Sequence, residues 1–530
     1  MAASQPQFGK YRHGLSTLPG RIQASIVAKG AISCERGSAV ASERAGPNGP
    51  PRAHAIVRRM MVLTATTACA ILYGLVSRRY ERALAIGAIT PAGAALVVGG
   101  EAIPTFYAIA VGGAAMLVWQ WLARRGGPAR TPLSRIPGVL LMIAMLSWSA
   151  FVVLAAPIVF PGIETVTVTG WRLQPGALTT TNAAQLIYLA LGIVVVVIVA
   201  RSRTTTPMLL SIPLGVGIGL SLWRYLSIAV GVPFPTGTFD NSPSFKYIEQ
   251  AAGGVSRFRG ISSEPAGLAV LTAVAAAYGL SLAAQLRGLA RVASLTMAGV
   301  AVFLGIASTS TTFVIEIAVL ALLSLLAFCW RLLRPRGSIR PTSMLIALGI
   351  VGVATMAVPK LLSLLLSEVN RKFGSSSFDD RSGSDMAALG VLEHTWGLGI
   401  GLGSVRASSL LFTLLGATGL IGTALFLASI ASLTIPAMRA GGAGPVLWAL
   451  AAFLISKAIS GPDLADTTGL LWLCLGILAH TAIGPRVADT PSHLGGTERI
   501  HRRVSRGANS ASLPVRLPRT GRSPAQATAV

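Results

Sequence analysis

The stretch SRFRGISSEPAGLA groups side chains that could bind an anion and move a proton. Arg257 and Arg259 carry planar guanidinium groups, which pair bidentately with phosphate or carboxylate. Glu264 offers a carboxylate that could accept a proton. Gly260 allows close approach of the backbone, and Pro265 suits the first turn of a helix. The stretch therefore predicts an anion site, or else a glutamate that only complements the helix dipole and pairs with an arginine.

A membrane helix is predicted to follow this stretch directly. Ser263 is a natural N-cap, so we expect the helix to begin at Glu264 and to run to about Ala284. The first amide groups of a helix favour negative charge beside them. Since Arg257 and Arg259 arrive at the same place, the helix start and the arginines together predict a phosphate-binding site.

A second set of candidate residues lies further along the chain, in FDDRSGSD and GLGIGLGS. Arg381 is the cation of the first segment, and the acidic residues beside it are expected to pair with arginine. Gly399, Gly401 and Gly403 alternate in the second segment. No strand precedes these glycines, which argues against a dinucleotide fingerprint and favours an irregular turn that lines a cavity. Because no Cys or His residues have metal-ligand spacing, no metal site and no cofactor are predicted.

The composition is typical of a membrane protein. Hydrophobic residues make up 52% of the chain, charged residues only 12%, and the mean hydropathy is +0.67. Apolar runs of about 18 to 25 residues match the thickness of the hydrocarbon core. We therefore predict an all-α polytopic membrane protein, with the lipid bilayer as its surroundings. The net charge is +26, but the sequence shows neither a nucleic-acid-binding fold nor the aromatic pattern of one. No nucleic-acid partner is therefore expected.

Arginine-rich loops alternate along the chain with loops that carry little positive charge. The positive-inside rule then predicts about 12 to 13 transmembrane helices within residues 58–484 and a cytoplasmic C-terminus. Two larger loops, 231–263 and 360–409, fall on the non-cytoplasmic side and still carry arginine. Positive charge on the disfavoured side indicates a role in binding rather than in topology.

The two terminal segments are basic and rich in small residues. Residues 1–57 and 485–530 show no sustained apolar periodicity, which predicts disorder. An odd number of spans would place the first segment outside, although its positive charge disfavours translocation. A natural start at Met60 or Met61 would remove that conflict. The C-terminal tail is expected to be attracted to anionic lipid.

The order of these motifs resembles the integral-membrane O-antigen and exopolysaccharide polymerases and the related O-antigen ligases. The similarity covers about Leu186 to Leu433. It includes RFRGISSEP, the segment around Arg381, the Gly-x-Gly-x-Gly stretch and GLIG at residues 419–422. The motifs follow one another in the family's order and share one predicted face of the membrane.

The resemblance implies a metal-independent inverting glycosyltransferase in the bacterial cytoplasmic (inner) membrane. It would transfer a glycan from undecaprenyl diphosphate to an acceptor glycan at the outer face. Arg257, Arg259 and Arg381 would bind the diphosphate and offset the charge of the leaving group. Glu264 would be the catalytic base, or alternatively only a helix cap. A flippase and a chain-length regulator would be the expected protein partners.

One departure separates the functions within this family. The ligases place a His-Asn pair after the glycine stretch, where this chain has ASSL, and His394 precedes the glycines. The departure favours a polymerase of lipid-linked repeat units over a ligase that attaches the glycan to a final acceptor. A non-enzymatic alternative is a flippase or exporter of lipid-linked glycans. That alternative needs charges within the spans, for which Glu316 and Lys457 are candidates, and no internal repeat accompanies them.

Overall fold

The computed structural model describes residues 51–98, 101–123, 131–167, 170–243, 245, 247, 257–333, 363 and 376–484. The predicted disordered tail at 485–530 lies outside these residues, and so does most of the N-terminal segment. The first helix begins at Pro51, within the segment predicted to be disordered.

The described residues form thirteen α-helices and one short antiparallel ribbon. The helices, in chain order, are α1 Pro51–Ser77, α2 Tyr80–Gly87, α3 Thr105–Leu122, α4 Val139–Val159, α5 Thr180–Arg201, α6 Ser211–Val230, α7 Pro265–Ala283, α8 Gly288–Ala307, α9 Thr311–Leu333, α10 Ser376–His394, α11 Leu410–Ala440, α12 Gly444–Ile459 and α13 Leu470–Ile483. The ribbon pairs β1 (Ala94–Val98) with β2 (Glu101–Pro104).

Eight of these helices are long and apolar enough to cross a membrane: α3 to α9 and α11. Three shorter apolar helices accompany them, namely part of α1 (Val62–Ser77), α12 and α13. The prediction of a helical, multi-pass membrane protein is confirmed. The predicted number of 12 to 13 spans includes stretches outside the described residues and stays a prediction.

The centre of the bundle is formed by α13 and α7. Every residue of α13 from Leu470 to Ala479 is buried, and the helix packs against α5, α11 and α12. Helix α7 is rich in alanine and packs against α8, α9 and α12. Small residues let membrane helices approach closely. At Gly279 of α7 the carbonyl accepts a hydrogen bond from the Ser294 hydroxyl of α8 at 2.9 Å.

Helix α11 is broken at Gly419, which has a φ of +66° and a ψ of −167°. The amide of the next residue, Leu420, donates to the carbonyl of Gly397 at 2.8 Å. The glycine stretch at 397–403 therefore packs into the break and continues towards the loop before α11. The predicted loop 360–409 also contains the polar helix α10, which packs on α11.

Candidate active site

The first feature near the start of α7 is a buried ion-pair cluster, here called the Asp240 cluster, of Arg224, Asp240 and Arg259. The Oδ2 atom of Asp240 accepts hydrogen bonds from Arg224 Nη1 at 2.6 Å and from Arg259 Nη2 at 2.7 Å. Arg259 is only 6% exposed, donates from Nη1 to the Ser262 carbonyl at 2.7 Å, and lies over the Tyr247 ring. A buried charge needs such a set of partners. The guanidinium of Arg259, predicted to bind diphosphate, is engaged within the protein.

Two neighbouring residues of the predicted motif hold the same segment against the bundle. Gly260 has a φ of +57°, and a Cβ atom there would lie 2.7 Å from Ser221 Oγ of α6. A side chain at position 260 would therefore clash with α6. The glycine thus lets the backbone pack closely against α6. Arg257 donates from Nη2 to the Thr309 carbonyl, at 3.2 Å, in the turn between α8 and α9.

Glu264 is the N-cap of α7, and the helix begins at Pro265. The prediction of Ser263 as N-cap was wrong by one residue. The reason is that a residue before proline is forced out of the helical region, and Glu264 is extended, with a φ of −145° and a ψ of 161°. The Glu264 side chain is exposed and makes no capping hydrogen bond. Within the described residues its carboxylate has no hydrogen-bond or ion-pair partner.

Glu264 opens into a cleft of about 320 Å³, here called the first cleft. The cleft joins the start of α7, the first half of α10, the loop before α11 and the loop after α12. It brings two predicted site residues, Glu264 and Arg381, to one place although they come from different loops. Its lining residues are Glu264, Arg381, Ser384, Arg406, Ser408, Ser460, Gly461 and Pro462.

Helix α10 is fixed at the first cleft by Asp385. The two oxygens of this carboxylate accept from the Ser408 amide at 2.8 Å and from the Ser408 hydroxyl at 2.6 Å. Arg381 lies one turn earlier on the same helix face as Asp385. The contact of Asp385 with Ser408 thus positions the exposed Arg381 at the cleft.

Arg406 is the second arginine of the first cleft, and it was not among the residues predicted from the sequence to form the site. Its amide donates to the Val166 carbonyl at 2.7 Å, which fixes the backbone. Its guanidinium lies 3.7 Å from Asp463 Oδ2, and the two side chains are 62% and 40% exposed. An exposed pair of this length contributes little to stability. The guanidinium is therefore available to a ligand. The position of Arg406 in the sequence, between the glycine stretch and α11, is the signal that could have identified this residue.

Two helices begin at the first cleft and add to its positive potential. Helix α7 starts beside Glu264. Helix α11 has Ser409 as its N-cap, and the Ser409 hydroxyl accepts from the Phe412 amide at 3.5 Å. The positive ends of the helix dipoles lie near Arg381 and Arg406. Together these groups favour an anion.

Lys457 is a third cation near this site. It lies in the last turn of α12, with Nζ 5.5 Å from the centroid of the Phe453 ring. A Cβ atom on Gly461, which lines the first cleft, would be 3.2 Å from the same Nζ. Lys457, a candidate intramembrane charge in the sequence, therefore has its ammonium group beside the first cleft.

The three predicted support glycines lie behind the first cleft rather than in it. Gly399, Gly401 and Gly403 have φ values of +80°, +97° and +88°, which other residues rarely adopt. A Cβ atom on Gly399 would lie 2.7 Å from the Gly419 amide nitrogen. Gly403 lines a second cleft of about 410 Å³, which shares Arg406 with the first.

Other candidate chemistry lies away from the first cleft. His394 is exposed at the end of α10, and its Nδ1 atom is 2.6 Å from the Gly390 carbonyl. In the part of the chain that the structure describes, no group of three or more His, Cys, Asp or Glu side chains could hold a metal ion.

No family model matches this chain, and no curated protein matches it. The resemblance to polysaccharide polymerases and ligases thus depends on the sequence motifs and stays a prediction.

Proposed function

We propose that this protein is a membrane-embedded inverting glycosyltransferase that polymerises lipid-linked polysaccharide repeat units. The observation that supports the proposal is the first cleft. It combines Glu264, a carboxylate without a partner among the residues that the structure describes, with two exposed arginines, Arg381 and Arg406.

The diphosphate of the lipid-linked donor would bind to Arg381 and Arg406. Arginine is suited to this role because its fork matches two phosphate oxygens at once. The starts of α7 and α11 add oriented backbone dipoles. These groups would also stabilise the negative charge that grows on undecaprenyl diphosphate as it leaves. No nucleotide sugar and no metal enter the proposed reaction.

Glu264 would be the catalytic base. A hydroxyl of the acceptor glycan attacks the anomeric carbon of the donor from the face opposite the diphosphate. The bond between that carbon and the phosphate oxygen breaks, and its electron pair leaves with undecaprenyl diphosphate. The hydroxyl proton passes to the Glu264 carboxylate. Because the hydroxyl attacks from the opposite face in a single displacement, the configuration at the anomeric carbon is inverted. The alternative role as a side-chain cap finds no support, since the carboxylate makes no capping hydrogen bond.

Arg259 takes a different role in this proposal from the one its sequence suggests. Its contacts with Asp240 and the Ser262 carbonyl hold the segment that ends at Glu264. We therefore assign Arg259 to positioning the base and Arg406 to the diphosphate. Arg257, bound to the turn at Thr309, would hold the same segment from its other side.

The first cleft would face the outside of the bacterial cytoplasmic membrane. Helix α5 begins near the clefts and ends at Arg201, and α13 ends beside it, with His480 Nδ1 3.2 Å from the Ala200 carbonyl. The Thr204 hydroxyl donates to Glu81, close to Arg78 and Arg79. These arginines lie at the end opposite the clefts, which the positive-inside rule would assign to the cytoplasm.

The test is polysaccharide profiling of a strain that lacks this protein. The strain is complemented with wild type, Glu264→Gln, Arg381→Ala, Arg406→Ala, or Arg439→Ala as a control. Arg439 is exposed in the last turn of α11 and does not line either cleft. We expect single repeat units in the deletion strain and in the three cleft variants, and long chains with the wild type and the control.

Other outcomes would replace the proposal. Long chains that fail to reach their final acceptor would identify a ligase. Lipid-linked units that accumulate at the cytoplasmic face would identify a flippase. If all three cleft variants make long chains while the variant proteins reach wild-type levels in the membrane, the first cleft has no role in polymerisation.

A further inference from the structure

The second cleft has the chemistry of a sugar-binding groove. Its lining includes an aromatic ring, Trp171, together with Thr181, Gln185 and Asp463. It adjoins the first cleft through Arg406, which lines both. A ligand bound to Arg406 by its diphosphate could therefore extend directly into the second cleft.

The walls of the second cleft are held by hydrogen bonds between distant parts of the chain. Asn182 Nδ2 donates to the Leu402 carbonyl at 2.5 Å and to Ser404 Oγ at 3.0 Å. Val166 forms a parallel bridge with Val405, and the Val166 amide donates to the Ser404 carbonyl at 3.1 Å. Because these contacts fix the backbone on both sides, the groove is preformed, as ligand sites usually are.

Several polar groups of this lining are not used in hydrogen bonds within the described part of the chain. Among the residues that the structure describes, the Gln185 amide, the Thr181 hydroxyl and the Trp171 indole N–H make no hydrogen bond. Trp171 and Gln185 are half-buried in the wall of the cleft. Asp463 makes a long contact of 3.7 Å with Arg406. These groups are available to hydroxyl groups of a ligand.

Such a set of groups matches a sugar better than a prenyl chain. A sugar ring has an apolar face that can lie on an indole ring, and its hydroxyls donate to carboxylates and pair with amides. A prenyl chain would leave the Gln185 amide and the Asp463 carboxylate desolvated and unpaired. We propose that the second cleft binds the donor sugar next to the diphosphate, with Trp171, Gln185 and Asp463 as its contacts. This inference rests on the proposed function of the first cleft.

The test measures binding without catalysis, on the full-length protein in lipid nanodiscs. The probes are inorganic pyrophosphate, farnesyl diphosphate, and the lipid-free oligosaccharide released by mild acid from the lipid fraction of the deletion strain. The variants are Trp171→Ala, with Trp171→Phe as the control that keeps a ring, and Arg381→Ala. Each titration gives a dissociation constant for one probe and one variant.

We expect Trp171→Ala to weaken binding of the oligosaccharide about five- to tenfold and to leave pyrophosphate binding unchanged. Trp171→Phe should retain most of the oligosaccharide affinity. Arg381→Ala should weaken pyrophosphate and leave the oligosaccharide unchanged.

The inference is overturned if the oligosaccharide does not bind, or if Trp171→Ala leaves its affinity unchanged. It is equally overturned if Trp171→Ala weakens only farnesyl diphosphate, since the groove would then hold the lipid. The two proposals can also be separated. If oligosaccharide binding depends on Trp171 but the deletion strain still makes long chains, the sugar site is supported and the polymerase function is contradicted.

Discussion

The Asp240 cluster and the first cleft both place arginines beside a carboxylate, but in opposite surroundings. In the cluster, two arginines share the Oδ2 atom of a buried aspartate at 2.6 and 2.7 Å. In the first cleft, Arg406 is 62% exposed and lies 3.7 Å from Asp463. The first arrangement satisfies its charges internally, and the second leaves them to solvent or to a ligand. An arginine can thus be assigned to structure or to binding only when its carboxylate partner is known.

The largest effect is expected for the cluster. Asp240→Ala removes the carboxylate that both buried arginines share, and breaking a buried ion pair costs about 3 to 5 kcal/mol. Thermal unfolding of the purified protein in detergent measures the loss. The matched control is Asp463→Ala in the first cleft, for which we expect a change of about 0 to 1 kcal/mol. Equal destabilisation by both variants would abolish the distinction between the two regions.

The next effect concerns catalysis rather than stability. Glu264→Gln keeps the size of the side chain and removes its basicity, so the transfer rate should fall by about 10²- to 10⁴-fold. The unfolding temperature should stay at the wild-type value, because this exposed side chain makes no capping bond. The measurement is the initial rate of chain growth from purified lipid-linked repeat units. A variant with normal rate would leave Glu264 without a catalytic role.

Arg406→Ala and Arg259→Ala sharpen the comparison between the two regions directly. We expect Arg406→Ala to lower the transfer rate about 100-fold with an unchanged unfolding temperature. Arg259→Ala should lower the unfolding temperature and the amount of folded protein in membranes. Both the transfer rate per folded molecule and the unfolding temperature are measured on the same samples. This separates a loss of catalysis from a loss of stability. If the two variants change both quantities alike, the two arginines serve one function.

The smallest effect is expected at alkaline pH, from the tyrosine that packs on Arg259. Burial, and then the Asp240 carboxylate, raise the pKa of Tyr247 to about 12. The folded state thus favours the neutral ring, and this stabilisation is complete below the usual tyrosine pKa of about 10. It is lost as the pH rises from about 10 to 12. Tyr247→Phe should reduce the loss of stability over this window, as measured by urea unfolding at several pH values.

The class of fold, and two residues of the candidate site, could be predicted from the sequence for identifiable reasons. Long apolar runs are a local property, and they predicted the membrane helices. Glu264 could be selected because the proline after it marks a helix start. The one-residue error at Ser263 came from overlooking that the same proline forces the preceding residue to be extended.

What the sequence could not predict depends on contacts between distant residues. Nothing near Arg259 indicates that Asp240, 19 residues earlier, neutralises it. Arg406 enters the first cleft because its backbone is bound to Val166, 240 residues earlier. Such pairings are set by the packing of whole helices and are invisible to local motifs.

The break in α11 limits where this chain can accept an inserted reporter or tag. The Gly397 carbonyl accepts from the Leu420 amide at a helix start within the bundle. In a hydrocarbon medium no water can replace that bond, so lengthening the stretch 397–403 would leave backbone groups unpaired. Gly441 and Gly442, between α11 and α12, have open space around them. A topology reporter placed there should leave the protein folded, whereas the same insertion at Gly399 should prevent its accumulation.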